Sequence, residues 1–272
     1  MPITISNIPQ QLIAKLRALH YLKNVPTISF THSDFVGGDL DLWIRSGILG
    51  YQQWYQSVDF GSGIIADVTT PPDWQPHPEL NPGSGLDRWN FIIRRNLPDV
   101  RNLRVLDLGC NVGLYSIEIA RMGAREVVSV DRDATMRQRT GQLPRVNLVS
   151  QAEFVRRAFE LRENRSYPIK IKAIDFKDLA ALRGLGRFDL ILALNVVYHE
   201  LDRAPSLIGA LAEMTDDLVL QSSVVHPTPI REWASVGKSV EMLTAAGFNY
   251  VTVDHPCGYT QPVVRGIRKQ SQ

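Results

Sequence analysis

The chain is poor in cysteine, with only Cys110 and Cys257 among 272 residues. That excludes a disulfide framework and points to a reducing compartment. It also lacks an imbalance of charge. Thirty basic residues stand against 28 acidic ones, a net charge of +2. A surface dedicated to polyanions is thereby excluded, although a local basic patch is not. No apolar run approaches the roughly 20 residues that cross a bilayer. Residues 1–10 have neither the basic start nor the apolar stretch of a secretory signal, so a cytoplasmic protein is expected. No histidine and carboxylate set is spaced for a metal, and there is no P-loop and no Gly-x-Ser-x-Gly turn. No metal is expected.

What is present is a core. Apolar residues make up 44% of the chain, enough for one large α/β domain and an additional segment. In residues 8–24, Leu12, Ile13, Leu16, Leu19 and Leu22 recur at helical spacing. They predict a one-sided helix, packed on the main domain or serving as a lid. Residues 50–85 are crowded with aromatics, glycine and proline, and cannot form one regular element. They predict an ordered loop with a short strand near 63–66. A helix over 86–96 follows, ending before Pro98.

From residue 104, strand and helix patterns alternate. Strands are predicted over 104–108, 126–130, 169–174, 188–194, 218–222, 250–254 and 263–268. Helices are predicted over 113–122, 150–162, 179–182, 204–214 and 236–246, the last closed by Gly247. Repeated β-α units imply a parallel sheet covered on both faces. The last two strands have no helix between them, so the final one should run antiparallel. The expected architecture is a Rossmann-like α/β fold with a seven-stranded sheet. Residues 1–85 are expected to form a cap, and 86–272 the ligand-binding domain.

The ligand signal is the run from Val105 to Gly113. It reads as a strand, a glycine turn and a helix start. Gly109 and Gly113 bracket the turn, with Cys110 and Asn111 between them. A dinucleotide turn has the form G-x-G-x-x-G, and the middle glycine is missing here. The pattern suits S-adenosylmethionine, which has no phosphate and whose ammonium would face Asp107. Asp131 ends the second strand, where a carboxylate can accept both ribose hydroxyls; helix capping is its other reading, shared with Asp133. Arg132 follows it in the expected cofactor site. Asp175 and Phe176 end the third strand and could hold the adenine, unless Asp175 rather than Asp178 caps the next helix.

Leu194 and Asn195 lead off the fourth strand into Val196-Val197-Tyr198-His199-Glu200, at the carboxyl edge where such sheets bind ligands. Asn195 and Tyr198 would stand where donor and acceptor meet. His199 is the candidate general base by residue type, with His226 a second. Each could equally be a hydrogen-bonded loop histidine. Tyr51, Trp54, Tyr55 and Trp74 would wall or cover the acceptor pocket, or else form a satellite core beneath the N-terminal helix. Arg132, Arg137, Arg139 and Arg145 read as a solvated stretch or as contacts for an anionic acceptor or RNA.

Asp107-Leu-Gly109-Cys-Asn-Val-Gly113, Asp131, Asp175 and the 194–199 segment together resemble class I S-adenosylmethionine-dependent methyltransferases over about residues 86–268. The resemblance implies adenosylmethionine as donor and adenosylhomocysteine as product. A narrower resemblance rests on the stretch from Trp54 to Gly63, on Thr70-Pro71 and on Tyr198-His199. These are similar to the group of proteins resembling tRNA wobble-uridine methyltransferases, which form 5-methoxyuridine or 5-carboxymethoxyuridine. It implies that Tyr198 contacts the cofactor. Gln56 stands where that group has histidine, and no lysine before the first strand matches those that hold a carboxylated cofactor. Ordinary adenosylmethionine is therefore expected.

The expected activity is methyl transfer to a hydroxyl or amine of a small molecule such as a sugar or secondary metabolite. A tRNA acceptor is the alternative, and an NAD(P)-dependent oxidoreductase the alternative of another class. A monomer or homodimer is expected.

Overall fold

The computed structural model describes residues 33–51, 54–67, 85–132, 147–224 and 230–268. The helix predicted over 8–24, together with Trp74, His226, Arg137, Arg139 and Arg145, lies outside them.

Helix α1 (Leu40–Gly50) opens the described chain, with Asp39 accepting the Leu42 N–H at its start. Two short strands, β1 (Val58–Asp59) and β2 (Ile65–Ala66), form a hairpin. Helix α2 begins as an α turn (Leu86–Arg88), widens to a π turn (Trp89–Ile93) and tightens again (Arg94–Asn96). Then come β3 (Arg104–Leu108), α3 (Leu114–Arg121), β4 (Glu126–Asp131), α4 (Leu148–Glu163), β5 (Ile169–Ala173), α5 (Leu179–Arg183) and β6 (Leu190–Leu194). The last part holds a 3₁₀ turn (Val197–Arg203), α6 (Ala204–Met214), β7 (Asp217–Gln221), α7 (Ile230–Trp233), α8 (Val236–Ala245), β8 (Tyr250–Asp254) and β9 (Val263–Ile267).

The seven strands from β3 onward form one sheet in the order β5-β4-β3-β6-β7-β9-β8. All pair in parallel except β9, which runs antiparallel to β7 and β8. This is the sheet that the sequence predicts. The central strand β6, Leu-Ile-Leu-Ala-Leu, is buried throughout. Helices cover both faces of a parallel sheet, so its strands read as apolar runs rather than alternations.

The order reverses at β3. Consecutive strands step outward to β4 and β5 on one side, then return to β6 and β7 on the other. At such a switch the loops after β3 and β6 diverge and leave a crevice at the carboxyl edge.

The segment ahead of β3 joins the same core. Tyr51, Trp54 and Phe60 are buried with Phe154 and Phe159 of α4. Trp54 meets Tyr51 and Phe60 edge to face, and Phe60 stacks on Phe159 at 5.5 Å. A Cβ on Gly47 would collide with the Phe154 ring, so glycine sets the close approach of α1 to α4. Arg162 of α4 donates to the Phe60 carbonyl (3.0 Å) and pairs with Asp41 of α1.

Candidate functional site

The turn after β3 uses its own amides. The N–H groups of Gly109 and Cys110 both donate to the Val130 carbonyl, at 2.7 and 3.1 Å. That of Gly113 donates to the Cys110 carbonyl. The Asn111 N–H donates to Asp131 Oδ2 at 2.7 Å. A pyrophosphate seat needs such amides to face the ligand. Four of them are engaged inside the protein, so the turn does not suit a dinucleotide. Gly109, Asn111 and Gly113 all have positive φ, a region glycine enters freely and asparagine more readily than most residues.

Asp131 is buried at the end of β4. Its other oxygen accepts the Arg132 N–H at 2.7 Å. Burial raises its carboxyl to about 6, against the two amides and the Arg132 charge, which pull it down. Asp131 therefore braces the turn. Tyr55 lies close enough for the Asp131 charge to add to the effect of burial in raising its phenol. Among the described aromatics expected at the pocket, Tyr55 is the one whose phenol feels this carboxylate.

Asp107 sits on β3 opposite Ser129 of β4. Ser129 donates to Ser116 of α3 (2.7 Å), and Ser116 donates to Asp107 Oδ2 (2.5 Å). This buried line of hydroxyls fixes the carboxylate. Burial, with a further contribution from Asp131, raises it to about 6, against the Ser116 hydrogen bond.

Beyond β5, Asp178 caps α5 by accepting the Ala181 N–H at 2.9 Å. That resolves the two readings of Asp175, which accepts the nearby Lys177 N–H and lies 3.3 Å from Arg132 Nε. Arg132 spans the crevice, pairing with buried Glu200 and lying over the Phe176 ring at 4.8 Å. Its charge is matched by carboxylates of the protein, Glu200 and Asp175. Glu200 is the residue the sequence reading missed. Its position in a 3₁₀ turn was not legible, and Leu201 beside it has a φ of 50° that sequence does not announce.

After β6, Asn195 turns the chain with φ 58°. Its amide donates to Gln221 Oε1 at 3.0 Å, while its own Oδ1 is buried without a partner among the described residues. Leu194 and Val196 flank it, both buried. Val196 packs on the glycine turn: a Cβ on Gly109 would lie 2.2 Å from its Cγ2. Tyr198 is buried, and burial pushes its phenol up. His199 is half-buried, with its N–H donating to the Val196 carbonyl and its ring 4.5 Å from that of Tyr198.

Two expected pocket residues stand elsewhere. Tyr51 and Trp54 are 2% and 1% exposed within the aromatic cluster on α4. The Tyr51 hydroxyl lies at 2.8 Å from Ser150 Oγ and donates to its carbonyl, and Trp54 Nε1 donates to the Ile48 carbonyl. Of the two readings open for them, their burial matches the satellite core, where their apolar area goes.

Among the described residues, no cluster of histidine, cysteine and carboxylate could hold a metal, and no helix is long and apolar enough to cross a membrane.

Comparison with known proteins gives a consistent picture. The family profile described as a methyltransferase domain matches residues 87–250. No curated protein matches the sequence. Among solved structures, the N-terminal domain of EvdMO1, determined in the presence of SAH and D-fucose, is 17% identical. The match covers 85% of this chain and 98% of that one, at a TM-score of 0.57. WbdD is 18% identical, over 82% of this chain and 46% of its own, at a TM-score of 0.54. Magnesium protoporphyrin IX methyltransferase from Synechocystis PCC 6803, with bound SAM, is 21% identical over 63% and 72%, at a TM-score of 0.46.

Proposed function

This chain belongs to the methyltransferase domain family, and on that premise we propose that it moves the methyl group of S-adenosylmethionine to a hydroxyl or amine of a small molecule. The observation that carries the donor is the set of buried acceptors around the switch in strand order. Asp107, Asp131, the orphaned Oδ1 of Asn111 and the orphaned Oδ1 of Asn195 are all acceptors. A buried acceptor without a partner is costly. An ammonium, two ribose hydroxyls and an exocyclic amine are the donors that adenosylmethionine would bring, so the residues fit the group.

Bound there, adenosylmethionine supplies a methyl already activated by its sulfonium. The protein's part is placement. Asp131 would accept from the ribose, Asp107 from the ammonium, and Asp175 with Phe176 would flank the base. Gly109, Cys110 and Asn111 let the backbone pass close to the ligand, and Leu194 closes the far wall. Tyr198 and Asn195 border the place where the acceptor must align, since reaction needs near-attack geometry. His199 would take the proton from a hydroxyl acceptor. The nearly balanced charge and the engagement of Arg132 within the protein favour a small molecule over tRNA. A sugar is compatible with the D-fucose present in the EvdMO1 structure. Neither the family match nor the turn supports the oxidoreductase alternative.

Calorimetric titration with adenosylhomocysteine and with NAD tests this. Adenosylhomocysteine should bind and NAD should not; the reverse would defeat the proposal. Unchanged turnover in high salt would count further against an RNA acceptor.

A further inference from the structure

One charge at the carboxyl edge has no use in the donor site. Arg88 stands at the junction where α2 passes from its α turn into the π turn, a departure from regular helix that recurs at functional sites. Among the described residues, its Nε is buried without a hydrogen-bond partner, and none of their carboxylates forms an ion pair with it. The neighbouring cations differ. Arg95 is held by Asp254, Arg265 by Asp217, and Arg132 by Glu200 and Asp175. A buried guanidinium edge without an anion is unfavourable unless a ligand supplies one.

Three tyrosines surround this charge. Tyr115 comes from the start of α3, Tyr198 from the turn after β6, and Tyr259 from the turn between β8 and β9. Trp89 stacks on Tyr115 at 5.6 Å, and Phe91 meets Tyr259 at 5.1 Å, so α2 is wedged between the two. Arg95 and Asn96 anchor the far end of α2 on Asp254 of β8. The Arg88 charge acts on all three phenols, opposing the rise that burial imposes. The Tyr259 hydroxyl is turned towards Arg88 and Gln221 and, among the described residues, makes no well-formed hydrogen bond in its buried position. Gln221 reaches towards Tyr259 and also accepts from Asn195. The seat is therefore continuous with the place where methyl transfer is proposed.

The geometry points to an acidic acceptor whose carboxylate is held by Arg88 and the Tyr259 hydroxyl, with Tyr115 and Tyr198 as the walls. This deepens the methyltransferase reading and rests on it. The guanidinium can only donate, and the Tyr259 hydroxyl can donate beside it, so the pair can hold an anion. One uncompensated positive charge selects a monoanion over a dianionic phosphate. The planar guanidinium suits a carboxylate, which it can meet with paired hydrogen bonds.

The test titrates the adenosylhomocysteine complex with benzoate, acetate, benzamide and inorganic phosphate. Benzoate should bind at least about tenfold more tightly than its uncharged isostere benzamide. Arg88→Gln should remove that preference and leave adenosylhomocysteine affinity unchanged, while Arg88→Lys should restore part of it. The wild-type comparison of acid and amide holds whether or not either variant folds. Equal binding of benzoate and benzamide, a preference for phosphate, or no binding of either carboxylate would overturn the inference. So would loss of adenosylhomocysteine affinity in Arg88→Gln, which would assign the arginine to the cofactor. Failure of the wild type to bind adenosylhomocysteine would defeat the donor reading instead, and benzoate titrated onto the protein alone would still report on the seat.

Discussion

Replacing Gly109 with alanine strikes the turn in two separable ways. The residue has φ +77°, a region where a side chain costs about 1–3 kcal/mol. The new Cβ would also lie 2.2 Å from Val196 Cγ2, well inside contact distance, while Val196 Cβ and Cγ1 are 3.4 and 3.5 Å away. Overpacking of this kind costs about 1–3 kcal/mol. Gly109→Ala should therefore lose about 2–6 kcal/mol, a large part of the about 5–15 kcal/mol that holds a domain together. Val196→Ala removes both γ-methyls, including the offending Cγ2. Alone it should cost about 1–3 kcal/mol through lost burial. Combined with Gly109→Ala, it should relieve the collision and leave only the cost of the backbone. The double variant should then be more stable than the sum of the single ones by about 1–3 kcal/mol. Urea unfolding followed by tryptophan fluorescence measures this, with the midpoint read at constant slope. Additivity within about 0.5 kcal/mol would refute the argument, because residues that do not touch simply add.

Other consequences follow from the same site. Asp107 and Asp131 are each raised from 3.8 to about 6, so both bind protons more tightly folded than unfolded. Their contribution to stability is full below about 3.8 and is lost as pH rises through about 6, worth about 3 kcal/mol for a shift of two units. The stability of the wild type relative to Asp107→Asn should fall by about 2–3 kcal/mol from pH 4 to pH 7; parallel curves in urea titrations would contradict the burial argument. Because the proposed ammonium favours ionised Asp107, adenosylhomocysteine should bind more tightly at pH 7 than at pH 5, and Asp107→Asn should flatten that dependence in calorimetry. Asp131→Ala should weaken adenosylhomocysteine binding by about 1–3 kcal/mol; unaltered affinity would remove Asp131 from the ribose. Tyr51→Phe should cost about 1 kcal/mol of stability through the Ser150 contacts, and Trp54→Ala about 3–5 kcal/mol. Thermal melts check both, and a changed acceptor preference with unchanged stability would return these residues to the pocket.

Much of the donor side is legible in the chain. The apolar runs over 104–108 and 190–194 mark buried parallel strands, and the missing helix before residue 263 marks the antiparallel one. Asp107, Gly109, Gly113 and Asp131 are local signals, each tied to the end of a strand or the start of a helix. Even α1 carries a signal in the sequence, Asp39 as a cap ahead of Leu40, Trp43, Ile44 and Ile48.

The acceptor side is different. Tyr51 and Tyr55 are four residues apart and alike in chemistry, yet one is core and the other lies by Asp131. Only the packing of α1 and Trp54 against Phe154 separates them. Arg132 looks like a free cation until Glu200, 68 residues away, is folded onto it. Arg88 looks like an ordinary helix residue until α3, the turn after β6 and the β8–β9 turn surround it with tyrosines. The sequence by itself determined the strands, the antiparallel direction of the last one and the glycine turn after the first, because strand periodicity and glycine conformation act between neighbours in the chain. The tertiary structure alone decided which aromatics are core and which charges are left without a partner, because burial and charge compensation are set by residues distant in sequence.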